Sequence, residues 1–414
     1  MGKRSVFLSF FAFWVFCIVF KFGTGLHYTL IAPLGERLLP LWIVGLVMSI
    51  ASIIQLVLDI PAGNLLDRFG YRNLLAVGTG IFMVAVLLWL KTDALFFVGS
   101  VLLASFGWLF FGPGRNAYVL AHATKQESGK FLGFRDVFSS LGTVLACLTI
   151  PFLIVKPNNI IVAVLFGLLA CSLIAILLSP RDKKHMVHAD FPHERTHHQR
   201  RHLFRNICSV MRRLSPASTL LLALQFVAAL FYGVVWFVIP LVIAHAVNNA
   251  SILGVGLGMF DFAVVIAGSL LCTLVDKVNK KLMIFVGLFI FSFAGLLLGW
   301  SFGLLFLLFA FLSTTGDEIA SLPLWAWLHQ LDKRHNRDGL ISGVINLFED
   351  LGWTVGPLVA GILYVLVGPT MTLVLGALPL LVLFGAYYFV VQKHMIKVSL
   401  FAVPVRPHKA RHKN

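Results

Sequence analysis

The sequence predicts an all-α polytopic membrane protein, with twelve transmembrane helices in two pseudo-symmetric six-helix bundles. Three observations carry that expectation. The 414 residues are 59% apolar and only 12% charged, with mean hydropathy +0.92. One soluble core cannot hide that much apolar surface, so lipid must be part of the solvent. The apolar residues fall into twelve windows of membrane-spanning length. A short charged turn, Asp67-Arg68-Phe69-Gly70-Tyr71-Arg72, also returns in weaker form as Asp276-Lys277-Val278-Asn279-Lys280-Lys281, which marks a duplicated chain.

The windows of the first half lie at 7–32, 41–66, 74–90, 95–122, 131–155 and 160–179. Those of the second lie at 218–246, 251–275, 282–300, 303–331, 340–367 and 370–391. Each runs apolar for about twenty residues, as a spanning helix needs. A β-barrel strand would instead alternate polar and apolar residues. The start, Met1-Gly2-Lys3-Arg4 followed by apolar residues from Phe7, resembles a signal peptide but has no clear small-residue cleavage site, and is read as an uncleaved first span.

The domain plan follows: a bundle over 1–179, a linker over 180–217, a second bundle over 218–391 and a basic tail over 392–414. The linker region holds nine Lys or Arg and six His. Leu203, Phe204, Ile207, Val210, Met211 and Leu214 lie at helical spacing, which fits an amphipathic helix on the membrane surface. His193/His197 and His198/His202 sit one helical turn apart. Without acidic or cysteine ligands they read as a solvated polar linker, and no metal is expected. Leu141-Gly142 in span five and Leu351-Gly352 in span eleven are counterparts that support the duplication.

The net charge of +16 would suggest nucleic acid in a soluble protein. Its distribution argues otherwise. Of 33 Lys and Arg, 27 lie in alternate connections and the two tails, and three (Arg37, Lys91, Lys156) in the opposite connections. The remaining three (Lys21, Arg115, Arg135) are inside spans. That bias puts both termini in the cytoplasm and adds some attraction to anionic lipid. Five scattered cysteines show no metal-like spacing and read as small packing residues.

Gly63-Asn64-Leu65-Leu66-Asp67-Arg68-Phe69-Gly70-Tyr71-Arg72 resembles the turn between spans two and three of the major facilitator superfamily, G-x-L-x-D-R-x-G-R-R/K. Tyr71 and Asn73 depart from its basic run. The resemblance covers nearly the whole chain and implies secondary transport by rocking of two bundles. It assigns Gly63, Asp67, Arg68, Gly70 and Arg72 to gating, although the same charges also serve to fix topology. Gly70 permits a tight reversal with positive φ. Arg115, after Gly112-Pro113-Gly114, is similar to the arginine of the superfamily's antiporter motif, but the usual downstream pattern is absent. Span five also lacks the G-P-x-x-G-G element of drug antiporters.

Ionisable groups inside spans are costly and must face a partner or water. The first half holds Lys21, Asp59, Arg115 and Arg135-Asp136; the second holds Asp261, Asp317, Glu318, Glu349 and Asp350. All three in-span cations are therefore in the first half. The second contributes five carboxylates, a polarity that suggests ionic contacts across a central cavity. Lys21, Asp59, Arg115, Asp261, Asp317, Glu318, Glu349 and Asp350 are the substrate or proton candidates, with Arg135 and Asp136 set apart as an internal ion pair. His27, Tyr28, Gln225, Tyr232, Trp236 and Trp325 are positioned to line a cavity, although ordinary packing explains each one.

No P-loop, H-E-x-x-H or G-x-S-x-G pattern occurs in the sequence. The expectation is a non-enzymatic, monomeric transporter of a bacterial inner membrane, without a cofactor. It moves a small organic solute or amphiphile, with protons as the coupling ion because buried carboxylates outnumber other carriers. Efflux is favoured over uptake; a solute uptake permease and a receptor or scaffold on the same fold are the alternatives.

Overall fold

The structure, a computed structural model, describes residues 10–122, 128–180, 216–246, 250–271, 278–331 and 338–398. The first half supplies α1 (Phe11–Glu36), α2 (Leu41–Phe69), α3 (Tyr71–Leu87), α4 (Ala94–His122), α5 (Ser128–Leu153) and α6 (Asn158–Leu178). The second supplies α7 (Pro216–His245), α8 (Ala250–Leu271), α9 (Lys280–Leu298), α10 (Leu304–Leu331) and the long run Asp338–Val398. That run is broken at Gly368, whose φ of 78° is not helical, so it forms α11 (338–367) and α12 (369–398). Among the described residues the result is twelve α-helices, a short 3-10 turn at Leu88–Leu90 and no strand.

Glycine and proline set the breaks. Gly70 and Gly303 take φ of 88° and 59°, where a Cβ is strained, and they separate α2 from α3 and precede α10. Pro40 and Pro157 stand just before α2 and α6, where a missing N–H costs nothing. Prolines also lie inside helices, among them Pro61, Pro113, Pro151 and Pro357. Neighbouring helices make such interruptions tolerable in a membrane. Leu95, Val155, Leu178 and Leu304 are exposed on the outer surface, as expected where lipid is the solvent.

The window edges differ from the sequence reading by a few residues. The largest shift is α12, which continues to Val398, past position 391, because Gln392-Lys393-His394-Met395-Ile396-Lys397 contains no helix breaker. The proposed amphipathic helix at 203–214, the linker histidines and most of the tail lie outside the described residues. So do Asp276 and Lys277; the rest of the second turn has Asn279 capping α9 by accepting a bond from the Lys281 amide, 3.0 Å.

The duplication is written into the helix contacts. Gly142 of α5 meets the backbone of α1 at Ile18, and its counterpart Gly352 of α11 meets the backbone of α7 at Phe226. Gly78 and Gly107 pack α3 against α4, with each glycine facing the other's carbonyl. Gly287 and Gly316 do the same for α9 and α10, roughly 209 positions later. Without a hydrophobic force between helices in lipid, close approach of backbones at small residues holds the bundle. Replacing Gly287 by valine is expected to destabilise the protein by about 1–3 kcal/mol. A lower unfolding temperature in detergent would show it; an unchanged one would contradict this packing.

The two halves meet by the same rule. Gly45 of α2 lies against the Pro357 carbonyl of α11, and Gly254 of α8 lies against Pro151 of α5. The pairs exchange under the pseudo-symmetry, since α2 corresponds to α8 and α11 to α5. Gly361 on Leu41 and a hydrogen bond from Ser49 Oγ to the Thr354 carbonyl, 2.5 Å, extend the contact. A hydrogen bond between His245 Nε2 and Glu36 Oε2, 2.8 Å, joins the ends of α7 and α1. All these contacts lie toward the face carrying the 37–40 connection. The opposite face carries Gly70 and Asn279. Helices α1 and α7 are the most buried spans, with 61% and 72% of their apolar windows inside against 28–50% elsewhere, so they line the centre.

Candidate functional site, a charge-polarised cavity between the halves

Between the closed face and the opposite one lies a cavity of about 650 Å³. That is within the range that encloses a small organic molecule. One face of each central helix lines it, at helical spacing. Lys21, Gly25 and Tyr28 come from α1; Ser52, Gln55 and Asp59 from α2; Trp108 and Arg115 from α4. Across from them stand Gln225, Tyr232 and Trp236 of α7, Asp261 of α8, Thr314, Asp317 and Glu318 of α10, and Glu349, Asp350 and Trp353 of α11.

The first-half wall is positively charged at its centre. Lys21 Nζ sits over the Trp108 ring, 4.6 Å from its centroid, a cation–π contact that binds the charge without neutralising it. Arg115 donates from Nη1 to Ser139 Oγ, 2.9 Å, and lies 4.0 Å from Asp136 and 5.1 Å from the Phe111 ring centroid. Its Nε is buried without a hydrogen-bond partner among the described residues. Lys21 makes no hydrogen bond or close ion pair among the described residues, but Asp261 and Asp136 are within electrostatic reach.

The second-half wall is acidic. Asp317 lies beside the Tyr232 hydroxyl and near Glu349, and Glu318 is within reach of Asp317, Glu349 and Asp136. Gln225 Nε2 donates to Glu349 Oε2 at 3.3 Å. Asp350 and Asp59 approach each other across the cavity as like charges. Asp261 neighbours Ser140 of the other half. Aromatic rings fill the space between: Tyr232 lies parallel to Trp353 at 6.4 Å, and Tyr28 meets Trp236 edge-on at 6.5 Å across the halves.

All eight ionisable candidates named from the sequence therefore line one cavity. Arg135 and Asp136 do not line it. Their ion pair, 2.5 Å, joins neighbours on α5 and so cannot tie helices together. The ties between α4 and α5 run from Arg135 to Asn116, from Arg115 to Ser139 and, at 4.0 Å, from Arg115 to Asp136. His27 borders the cavity but stacks on Trp89, 4.4 Å between centroids. The Trp325 side chain lies outside what is described. Trp108, Trp353, Ser52, Gln55 and Thr314 are lining residues the sequence reading did not single out; Gln55 and Ser52 stand one and two turns before Asp59 on the same helix face.

The residues of the Gly63–Arg72 turn are spread along the end of α2 and the start of α3. Gly70 makes the positive-φ reversal expected of it, with its amide donating to the Leu66 carbonyl. Arg72 donates to the Ile176 and Leu177 carbonyls, so it caps the end of α6. Arg68 is exposed, over the Phe69 ring at 5.3 Å. Gly63 meets nothing within 4 Å, and the Asp67 side chain is outside the description.

A twelve-helix bundle that encloses a charged cavity between two like halves is the architecture of a membrane transporter. The family model of the Major Facilitator Superfamily matches residues 5–215 and 221–411, so the chain belongs to that superfamily of transporters. Multidrug resistance protein 2 of Bacillus subtilis (strain 168) is 26% identical over 336 residues, covering 77% of this chain and 79% of that protein. An uncharacterised MFS-type transporter of Mycobacterium tuberculosis is 29% identical over 190 residues. That match covers 43% of this chain and 44% of the relative, less than half its length. Among solved structures, the nucleoside transporter NupG superposes with TM-score 0.74 at 12% identity over 94% of this chain and 98% of its own. A bacterial homologue of the lysosomal transporter Spinster, in an inward-facing, unoccupied conformation, superposes with TM-score 0.72 at 14% identity over 96% and 99%. These two likenesses concern the fold. Membership of that superfamily and eleven apolar spans among the described residues make the chain an integral membrane protein.

Proposed function

We propose that the protein is a proton-coupled secondary transporter that exports a small organic solute or amphiphile by alternating access. The observation that carries this reading is the cavity itself: it lies between the halves, is lined by all eight in-span candidates, and among the described residues has its inter-half contacts gathered at one face. The basic connections put the Gly70 face in the cytoplasm of a bacterial inner membrane, with both termini on that side. The conformation is then inward-open, closed outside by the Gly45–Pro357 and Gly254–Pro151 contacts.

The carboxylates of α8, α10 and α11 are the proton carriers in this reading, and Lys21 and Arg115 compete for them when the halves move. In the same reading Asp67 and Arg68 act on the gate rather than on cargo, and Arg72 holds α6 to that gate. The multidrug relative supports efflux.

Purified protein in liposomes tests the proposal. A dye for internal pH should report proton movement when cargo found by a stabilisation screen is added, and cargo should concentrate when a pH gradient is imposed. Cargo-independent proton flux, or none, would remove proton coupling and favour a receptor on this fold.

A further inference from the structure

We infer that the cargo is zwitterionic: its anionic group binds the Lys21/Arg115 wall, its ammonium group binds Asp317, Glu318 and Glu349, and its apolar middle lies among Trp108, Tyr232 and Trp353. This rests on the transport reading above and names the class of molecule that the cavity takes.

The walls carry opposite charge, and each is incompletely satisfied on its own. Lys21 Nζ has an aromatic face beneath it but no hydrogen-bond acceptor among the described residues. Arg115 uses Nη1 on Ser139, while its buried Nε has no partner among the described residues. Within the membrane such donors call for an acceptor. Asp261 faces Lys21 from across the halves, and Asp136 faces both cations, so neither is isolated electrostatically. Asp136 is 4.0 Å from Arg115, so what is missing is a hydrogen-bond acceptor for Lys21 Nζ and for Arg115 Nε among the described residues.

On the other side, three carboxylates crowd together: Glu318 is within reach of Asp317 and Glu349. Gln225 and the Tyr232 hydroxyl are neutral neighbours there, and no Lys or Arg borders that cluster among the lining residues of the second half. A cation placed there relieves the repulsion. A simple cation would give Lys21 Nζ and Arg115 Nε no acceptor and would be repelled by both. A simple anion would face the acidic wall. A molecule with both charges satisfies each wall, and charge-assisted hydrogen bonds at each end are the strong kind. The flat rings between the walls suit an aromatic or apolar body.

Matched probes that share a body and differ only in charge decide the matter. For an indole body these are tryptophan, tryptamine and indolepropionate; for a phenyl body, phenylalanine, phenethylamine and phenylpropionate. For a linear body they are aminooctanoate, octylamine and octanoate. Calorimetric titration of the purified full-length protein should show, on at least one body, the zwitterion binding roughly tenfold or more tighter than either single-charge partner. Lys21→Met should reduce the zwitterion to the level of the amine, Lys21→Arg should restore part of the loss, and Asp317→Asn with Glu318→Gln should reduce it to the level of the acid.

No zwitterion preference on any body overturns the inference, and the wild-type protein alone is enough to show it. An amine that binds best on every body points to a cationic cargo. Amine export driven by a pH gradient would sink this inference and leave the transport proposal standing. Zwitterion binding without gradient-driven flux would do the reverse.

Discussion

Gly45→Leu is expected to abolish net transport while leaving a folded protein. Gly45 of α2 touches the Pro357 carbonyl of α11, and a Cβ there already collides with backbone that cannot swing away. Gly361 on Leu41 and Ser49 on the Thr354 carbonyl lie on the same seam, so displacement at Gly45 propagates along it. Overpacking costs about 1–3 kcal/mol. It falls only on the state in which this face is closed, and shifts the balance of states by about 5–150-fold. Gly80, which meets nothing within 4 Å, is the control: Gly80→Leu should transport normally. The check is cargo flux in liposomes together with labelling of the cavity by impermeant reagents from the 37–40 face, which should rise only in Gly45→Leu. Normal flux in that variant would mean the seam does not open and close.

The second large effect is expected at the acidic wall. Asp317→Asn removes the carboxylate that faces Tyr232 and Glu349 while keeping its shape, and Asp261→Asn removes the one that faces Lys21 across the halves. Either change should abolish accumulation against a gradient, because an amide does not exchange a proton. Cargo exchange without a gradient should persist in Asp261→Asn at a reduced rate. If both variants still concentrate or expel cargo with an unchanged pH dependence, protons do not couple through these residues.

Much of the fold was legible in the sequence, for physical reasons. Lipid demands long apolar helices with satisfied backbones, so twelve windows translate almost directly into twelve helices. Gly70 could be assigned a positive φ because a helix-to-helix reversal one residue long needs it. Leu141-Gly142 and Leu351-Gly352 pointed to the repeat, and their glycines prove to be the contacts of α5 with α1 and of α11 with α7. The pairs Gly78–Gly107 and Gly287–Gly316 were less visible, since an isolated glycine in an apolar helix has no period to announce its partner.

The ionisable lining was legible because charge within a span must face inward. Its neutral part was not. Trp108 and Trp353 are indistinguishable in sequence from lipid-facing aromatics, and only helix rotation separates the two. Arg135 and Asp136, read from the sequence as an internal ion pair, do pair with each other on α5, and they also reach α4, Arg135 at Asn116 and Asp136 at Arg115. The scaffold is duplicated but the charges are not. At an offset of about 209 residues, Lys21 falls on Leu230, Arg115 on Leu324, Asp261 on Ser52 and Asp317 on Trp108. Equivalent glycines preserve the rocking frame, while each half has its own chemistry.

Paired distances at the two faces test the central claim most directly. Nitroxide labels at Lys156 and Phe302 mark the two halves on the closed face, and labels at Asn73 and Asn279 mark them on the other. All four positions are exposed. Pulsed electron resonance on the two doubly labelled proteins in lipid, with and without cargo and across pH, should show one distance lengthening as the other shortens. Two distances that stay fixed, or that move in the same sense, would mean that the halves do not rock about the charged cavity.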